Sequence, residues 1–202
     1  MTAPLEFWFE FGSTYSYPAA MRIERLAREQ GVPLVWRAFL LGPIFGEQGW
    51  NDSPFNLYPA KGRYMWRDLA RLCEAEGLPL RRPSRFPRNG LLAARLACRF
   101  AGEAWLPEFV RAVYDANFAR DLEIAEPGVV AECLERAGQQ PAPRLAAAQT
   151  DAAKAALRAQ TEQARRLGVF GAPSFLAGGE LFWGNDRLEA ALAWQRRGGM
   201  RS

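Results

Sequence analysis

The hydrophobic period of this chain changes abruptly at Gly12–Ser13, and that change constrains the fold more than any other feature. Before it, Leu5, Phe7, Phe9 and Phe11 alternate with Glu6, Trp8 and Glu10, a period of two that predicts a strand with one strongly apolar face. After it, Ala19, Ala20, Ile23, Leu26 and Ala27 recur at helical spacing, with Gly31 placed to end the helix and Pro33 blocking its continuation. Residues 34–40, Leu-Val-Trp-Arg-Ala-Phe-Leu, predict a second strand. Strand, helix and strand in close succession imply a parallel pair joined by a right-handed crossover.

The far end of the chain returns to strand. Ser174–Ala177 and Glu180–Trp183 flank Gly178–Gly179, a two-residue hairpin signal. A last helix is expected from Asn185 or Asp186, where Asp186 and Glu189 are spaced as a capping box, to about Gly198. In between, residues 41–60 are rich in Gly, Pro and Asn and predict a long loop, which at that length is more often functional than idle. Helical patterns follow near 61–76, 89–102, 104–118, 126–137 and 144–167, with Leu80–Arg88 as a basic, proline-punctuated connector. Neither β-α-β nor β-β-α has strands enough for a core of its own, so both halves are assigned to one sheet. Two independent domains would leave the C-terminal hairpin unsupported. The expectation is an α/β fold of thioredoxin type, with residues 1–40 and 168–202 forming the thioredoxin-like domain. Residues 41–167 supply a loop plus an all-helical insertion.

Composition narrows the chemistry. The 202 residues are 49% hydrophobic and 24% charged, enough for a globular core that needs no disulfide or metal staple. Histidine is absent, which excludes Ser-His-Asp and Cys-His nucleophile systems and imidazole-bound zinc. Cys73, Cys98 and Cys133 are too far apart for a C-x-x-C motif or a metal cluster and read as reduced thiols. No metal is expected. A net charge of +4 is too mild to indicate nucleic acid. The charge-free stretch Leu167–Gly179 is too short for a membrane span, and the N-terminus lacks the pattern of a signal peptide, so no membrane partner and a cytoplasmic location are expected.

Three segments can carry chemistry. Ser13 falls at the start of the first helix, where it reads as a helix cap or as a donor beside the positive end of the helix dipole. Ser13 and Ser16 occupy the positions that a C-x-x-C pair holds in a thioredoxin-type fold, which argues against dithiol redox chemistry. Ala172–Pro173 precedes the hairpin opposite that helix, and a cis peptide is expected there, turning the Ala172 N–H and C=O outward for a ligand backbone. Trp183, Gly184, Asn185 and Asp186 supply an amide and a carboxylate suited to an α-amino acid group, or serve simply as core, turn and cap.

Phe7–Tyr17 (FWFEFGSTYSY), Val169–Ser174 (VFGAPS) and Leu181–Leu188 (LFWGNDRL) together resemble 2-hydroxychromene-2-carboxylate isomerases, relatives of kappa-class glutathione transferases within the DsbA-like thioredoxin family. The resemblance spans nearly the whole chain and includes Gly49–Arg71. It implies glutathione as cofactor, with Ser13 at its sulfur, Ala172 and Pro173 at its cysteinyl backbone, and Trp183–Asp186 at its γ-glutamyl end. It also implies a homodimer, an expectation that the 12% aromatic content, more than so small a sheet readily buries, also motivates. The chain departs from the Ser-Pro usual in these isomerases, carrying Ser13–Thr14, so the Thr14 N–H becomes a further donor near the thiolate.

The chain has no convincing nucleophile of its own, and glutathione would supply one. Its thiolate would add to the conjugated double bond of an aromatic α-keto acid, allow bond rotation and leave, giving cis-trans isomerisation. For such a small aromatic carboxylate, Trp50, Phe55, Tyr58, Tyr64 and Trp66 could wall a site, while Lys61, Arg63 or the run Arg81, Arg82, Arg85 and Arg88 could neutralise the carboxylate. Asn51 and Asn89 are candidates for polar contacts to glutathione or substrate. The alternatives are a kappa-like transferase, which releases the adduct, and a redox-inactive thioredoxin-fold binding or chaperone module.

Overall fold

Two strands from opposite ends of the chain occupy the middle of a four-stranded sheet ordered β2-β1-β3-β4. β1 (Leu5–Phe9) runs parallel to β2 (Leu34–Ala38), in register from Leu5 opposite Leu34 to Phe9 opposite Ala38. β1 is antiparallel to β3 (Ser174–Ala177), with Trp8 opposite Ser174, and β3 closes on β4 (Glu180–Trp183) through the expected Gly178–Gly179 hairpin. This is the thioredoxin-type arrangement read from the sequence. The computed structural model describes residues 3–198; residues 1–2 and 199–202 of the expected spans lie outside the described residues.

Helices cover both faces. α1 (Ser16–Gln30) connects β1 to β2 and ends at Gly31, whose left-handed φ of 66° lets its N–H reach back to Ala27 and Arg28. It packs with α10 (Leu188–Arg196) on the face that carries Leu5, Phe7 and Phe9. Between β2 and β3 lie α2 (Leu41–Glu47), α3 (Pro54–Leu57), α4 (Pro59–Ala75), α5 (Leu91–Arg99), α6 (Leu106–Phe118), α7 (Pro127–Arg136), α8 (Pro141–Ala148) and α9 (Asp151–Arg166). One cluster of buried side chains runs from the sheet into α5, α6 and α7. On the opposite face, Trp8 is enclosed by Phe39, Ile44 of α2 and Ala164 of α9. Its position among the polar residues of the period-two pattern therefore does not mean exposure.

The core is largely aromatic. Phe7 stacks on Phe175 at 5.5 Å and meets the edge of Trp36 at 5.1 Å, and Phe11 packs against Tyr114 at 5.5 Å. Each such pair contributes about 0.5–1.5 kcal/mol beyond area burial. Trp8, Tyr17, Tyr114, Phe7, Phe9, Phe11, Phe39, Phe109, Phe118 and Phe175 are all fully buried. The helices between the sheet halves thus absorb aromatic side chains that the sheet alone could not, so aromatic content no longer argues for a dimer. Gly90 begins α5 at the closest point of this packing, since a Cβ there would lie 2.6 Å from Cβ of Phe11.

Three expectations need correction. The 41–60 segment is not a plain loop, because α2 and α3 form within it; Ser53 accepts the Phe55 N–H at 3.3 Å and Pro54 starts α3 without wasting a donor. The single helix expected over 144–167 is two, since Thr150 caps α9 by accepting the Ala153 N–H at 3.3 Å. The last helix begins at Leu188 after a single 3₁₀ turn, Asn185–Arg187, and Asp186 does not cap it.

The basic connector before α5 also differs from expectation at Arg88. Its side chain is only 2% exposed; it donates to the carbonyl and side-chain oxygens of Asn117 at 3.2 Å each and pairs with Asp121. Hydrogen bonds from the Ser84 N–H and from Arg88 hold the Asp121 carboxyl down at about 2. Replacing Arg88 by Met should therefore strand buried acceptors and destabilise the fold by about 3 kcal/mol, the lower end for one partner removed from a buried pair. Urea denaturation measures this, and an unchanged midpoint would contradict the assigned role.

Candidate functional site

The antiparallel register of β1 and β3 brings the end of one to the start of the other, so the turn after β1 meets the peptide before β3. That meeting point is the floor of a cavity of ≈ 1370 Å³. The volume exceeds the ~300–1,000 Å³ of a common small-molecule site, leaving room for two ligands side by side. α2 and the segment through Asn51 form one wall, α3 and the start of α4 form another, and the Phe86–Leu91 segment closes a third side. Phe170 and Trp183 stand at the mouth, edge to face at 4.9 Å and about half exposed.

On the floor, the Ala172–Pro173 peptide is cis, as is Phe86–Pro87, which the sequence reading did not anticipate. The Ser13 hydroxyl donates to the Ala172 carbonyl at 2.9 Å and accepts the Ser16 N–H at 3.4 Å. Ser13 thus precedes α1 by a turn and holds its first N–H, while its proton is committed across the sheet edge. The Ala172 carbonyl, expected to face a ligand, already has this internal partner. The N–H groups of Thr14 and Tyr15 find no acceptor among the described residues, and the Thr14 hydroxyl is buried without a hydrogen-bond partner. An anion beside Ser13 would meet these donors and the positive end of α1.

The other expected residues divide. Asn51, Lys61, Tyr64, Asn89 and Trp183 line the cavity with Ser13 and Ala172, and Pro173 lies under the floor, buried. Lys61 lies over the Tyr58 ring at 4.7 Å and has no carboxylate partner among the described residues. Asn89 spends its carbonyl oxygen on the Leu91 N–H at 2.9 Å, at the start of α5. Arg63 is exposed outside the cavity, and Arg85 is 83% exposed with Glu123 4.0 Å away. Gly184 donates its N–H to the Pro173 carbonyl at 2.9 Å, fixing the strand end. Asn185 is buried and turned away from the cavity, its carbonyl and side-chain oxygens both accepting from Arg22. Asp186 is exposed and pairs with Arg187 at 2.8 Å.

Several cavity residues were passed over in the sequence. Gly171 lies so close under the Trp183 indole that a Cβ would come within 2.4 Å of its Nε1, which fixes the ring at the mouth. Tyr15 donates to Asp68 at 2.9 Å, and burial together with that carboxylate pushes its phenol well up. Glu10 has the largest chemical consequence. It is half-buried at the end of β1, accepts the Gly12 N–H at 2.9 Å, and burial pushes its carboxyl up to about 7 against the pull of the Gly12 and Ser13 N–H groups. Its position is legible as a carboxylate three residues before Ser13, but the period-two pattern marks only the apolar face of the strand and gives Glu10 no role.

A family model described as a DSBA-like thioredoxin domain matches residues 4–193. A 2-hydroxychromene-2-carboxylate isomerase of Pseudomonas putida is 30% identical over 190 residues, covering 91% of this chain and 90% of the relative. Glutathione S-transferase kappa 1 of Homo sapiens is 28% identical over 202 aligned residues, covering 92% of this chain and 87% of the relative. A solved 2-hydroxychromene-2-carboxylate isomerase superposes with a TM-score of 0.81 at 27% identity, covering 96% of this chain and 95% of that one.

The raised Glu10 carboxyl has a thermodynamic signature. Between its ordinary value of 4.5 and about 7, the folded chain binds this proton more tightly than the unfolded chain. Its contribution to stability is therefore complete below that window and lost as pH rises through it. The stability gap between wild type and Glu10→Gln should shift in favour of the variant as pH rises from 4.5 to 7. A gap that stays constant in urea titrations across this range would contradict the assignment.

Proposed function

The chain belongs to the DsbA-like thioredoxin family, beside 2-hydroxychromene-2-carboxylate isomerases and kappa-class glutathione transferases, and is an enzyme; from this premise we propose that it is a glutathione-dependent cis-trans isomerase of an aromatic α-keto acid. The observation that carries the reading is the Ser13 hydroxyl on a cavity floor with free Thr14 and Tyr15 N–H groups and no cysteine. This arrangement suits a thiolate that arrives with a ligand. The dipole of α1 and those donors would draw the thiol towards its charged form. For Ser13 to donate to the sulfur, its proton must leave the Ala172 carbonyl, which then becomes available to an N–H of the ligand.

The thiolate would add to the double bond conjugated with the keto group. The former double bond becomes a single bond, rotates, and reforms as the thiolate leaves. Lys61, on the α4 wall, is the cation best placed to hold the substrate carboxylate, and Phe55, Tyr64 and Trp50 supply aromatic surface around it. Asn51 and Asn89, on separate segments of the lining, offer amide donors. Arg63 and Arg85 are poorer candidates because of their exposure outside the cavity. At the mouth, Trp183 would pack on the peptide of glutathione, and Asp186 just beyond it would exchange Arg187 for the γ-glutamyl ammonium. The cytoplasm, where glutathione is kept reduced, suits this chemistry and the three free cysteines. The homodimer remains part of the reading through the family resemblance. Among the described residues, no helix is long and apolar enough to cross a membrane.

Kappa-class similarity supports a second reading, in which the adduct departs instead of reverting. Mass analysis of the products separates the two, since an isomerase returns free glutathione and a transferase consumes it.

Ser13→Ala should preserve the fold, change glutathione affinity modestly, and raise the pKa of the bound thiol by about one unit, equivalent to a 1–2 kcal/mol hydrogen bond to a charged acceptor. Isomerase turnover should fall at least roughly tenfold if that bond persists in the transition state. Thiolate absorbance followed against pH, with no change in either quantity, would reduce Ser13 to a helix cap. Asp186 is solvent-exposed, so Asp186→Asn should weaken glutathione measurably but weakly, by about 0.2–1 kcal/mol, the range of a surface ion pair. Calorimetric titration measures it, and an unchanged affinity would remove Asp186 from the site.

A further inference from the structure

We propose that Glu10 is the proton acceptor and donor of this cavity, taking the thiol proton of bound glutathione and passing it through the keto oxygen of the substrate. The proposal rests on the glutathione reading above and assigns a group that reading leaves open.

Glu10 lines the cavity beside Gly12 and Ser13. One carboxylate oxygen accepts the Gly12 N–H at 2.9 Å, and the neighbouring Ser13 N–H also pulls on the carboxylate, so its partners are local main-chain donors alone. The groups around it leave it without a counter-ion. Tyr114, from α6, donates at 2.9 Å to the Glu10 main-chain carbonyl and not to the carboxylate. Arg88 presents its main-chain carbonyl to Gly12, while its guanidinium is spent on Asn117 and Asp121. Across the cavity, Lys61 lies over Tyr58, Tyr15 donates to Asp68, Asp52 accepts from Ser53 and Asn56, and Tyr64 sits exposed at the rim. A carboxylate in a cavity with only local main-chain N–H donors and no cation is a base suited to neutral pH, and the chain has no histidine to serve instead.

The proton balance closes on one residue. The Glu10 carboxylate takes the proton as the S–H bond breaks. Sulfur bonds to the carbon β to the keto group, and the π pair moves to give an enolate, whose oxygen receives the proton from the Glu10 carboxyl. After rotation about the new single bond, Glu10 removes that proton, the double bond reforms and the C–S bond breaks. The thiolate finally recovers the proton from Glu10.

The test is calorimetric titration of glutathione into wild type and Glu10→Gln at about pH 8, in buffers of different ionisation enthalpy, to count protons released on binding. Gln keeps an acceptor for the Gly12 N–H but cannot take a proton. Wild type should release almost none, because the thiol proton moves to Glu10, whereas Glu10→Gln should release close to one. Turnover of the variant should drop at least roughly tenfold with little change in KM for glutathione, and the acid limb of the pH–rate profile near 7 should disappear. Equal proton counts in two proteins that both bind glutathione would overturn the role of Glu10 and leave the glutathione reading intact. No binding to wild type would sink both. Should the variant fail to fold, infrared difference spectra of wild type decide: a protonated-carboxyl band must appear with glutathione and not with S-methylglutathione, and its absence overturns the proposal.

Discussion

Three residue pairs join β1 to β3, and they connect segments more than one hundred and fifty residues apart in the chain, as the Ser13–Ala172 bond at a separation of 159 shows. Because the two strands run in opposite directions, the C-terminal end of one is forced against the N-terminal end of the other. The floor of the cavity is a product of that ladder. A slip of one residue would turn Phe7 and Phe175 out of their stack and move Ser13 away from Ala172 together. Core packing and site geometry therefore depend on one register, and the same aromatic contacts that stabilise the sheet hold the floor in place.

Charge is distributed so that the floor stays free of cations. Arg88 enters the cavity wall but points its guanidinium into a buried network with Asn117, Ser84 and Asp121. Arg22 is likewise turned inward, to Asn185 and Glu189. What remains at the floor is a helix end with open N–H groups and, beside it, a carboxylate held high by burial. These two features act in opposite senses on a negative charge. The N–H groups favour an anion at Ser13, and Glu10 is then less able to carry one of its own.

Local patterns in the sequence exposed the elements whose signals are local. The switch of period at Gly12–Ser13, the Gly178–Gly179 turn and the Ala172–Pro173 dipeptide each mark a backbone requirement that a few residues meet by themselves. The failures have a common cause in tertiary partners. Asp186 has the spacing of a cap, yet Arg22 of α1 holds Asn185 and moves the helix start to Leu188. Arg88 reads as one more member of a basic run until Asp121 and Asn117 close around it. The break between α8 and α9 was available in Thr150–Asp151, but the alanine-rich sequence on both sides kept the helical pattern continuous. Glu10 gained no role from the sequence because a period-two pattern marks the apolar face of a strand and does not show that the carboxylate just past its end lines a cavity.

The split sheet also sets the order in which the chain can become ordered during synthesis. β1 and β2 leave the ribosome early, while β3, the second neighbour of β1, lies beyond the eight helices from α2 to α9. At about 5–20 residues per second, the aromatic face of β1 waits roughly ten seconds or more for its antiparallel partner. In that interval the edge of β1 that will receive β3 is open to any extended segment that meets it. The helices that emerge in the meantime, α5 and α6 above all, can cover Phe7, Phe9 and Phe11 before the ladder closes. Positioned between the halves of the sheet, they can shield the nascent strand until its final neighbour is made.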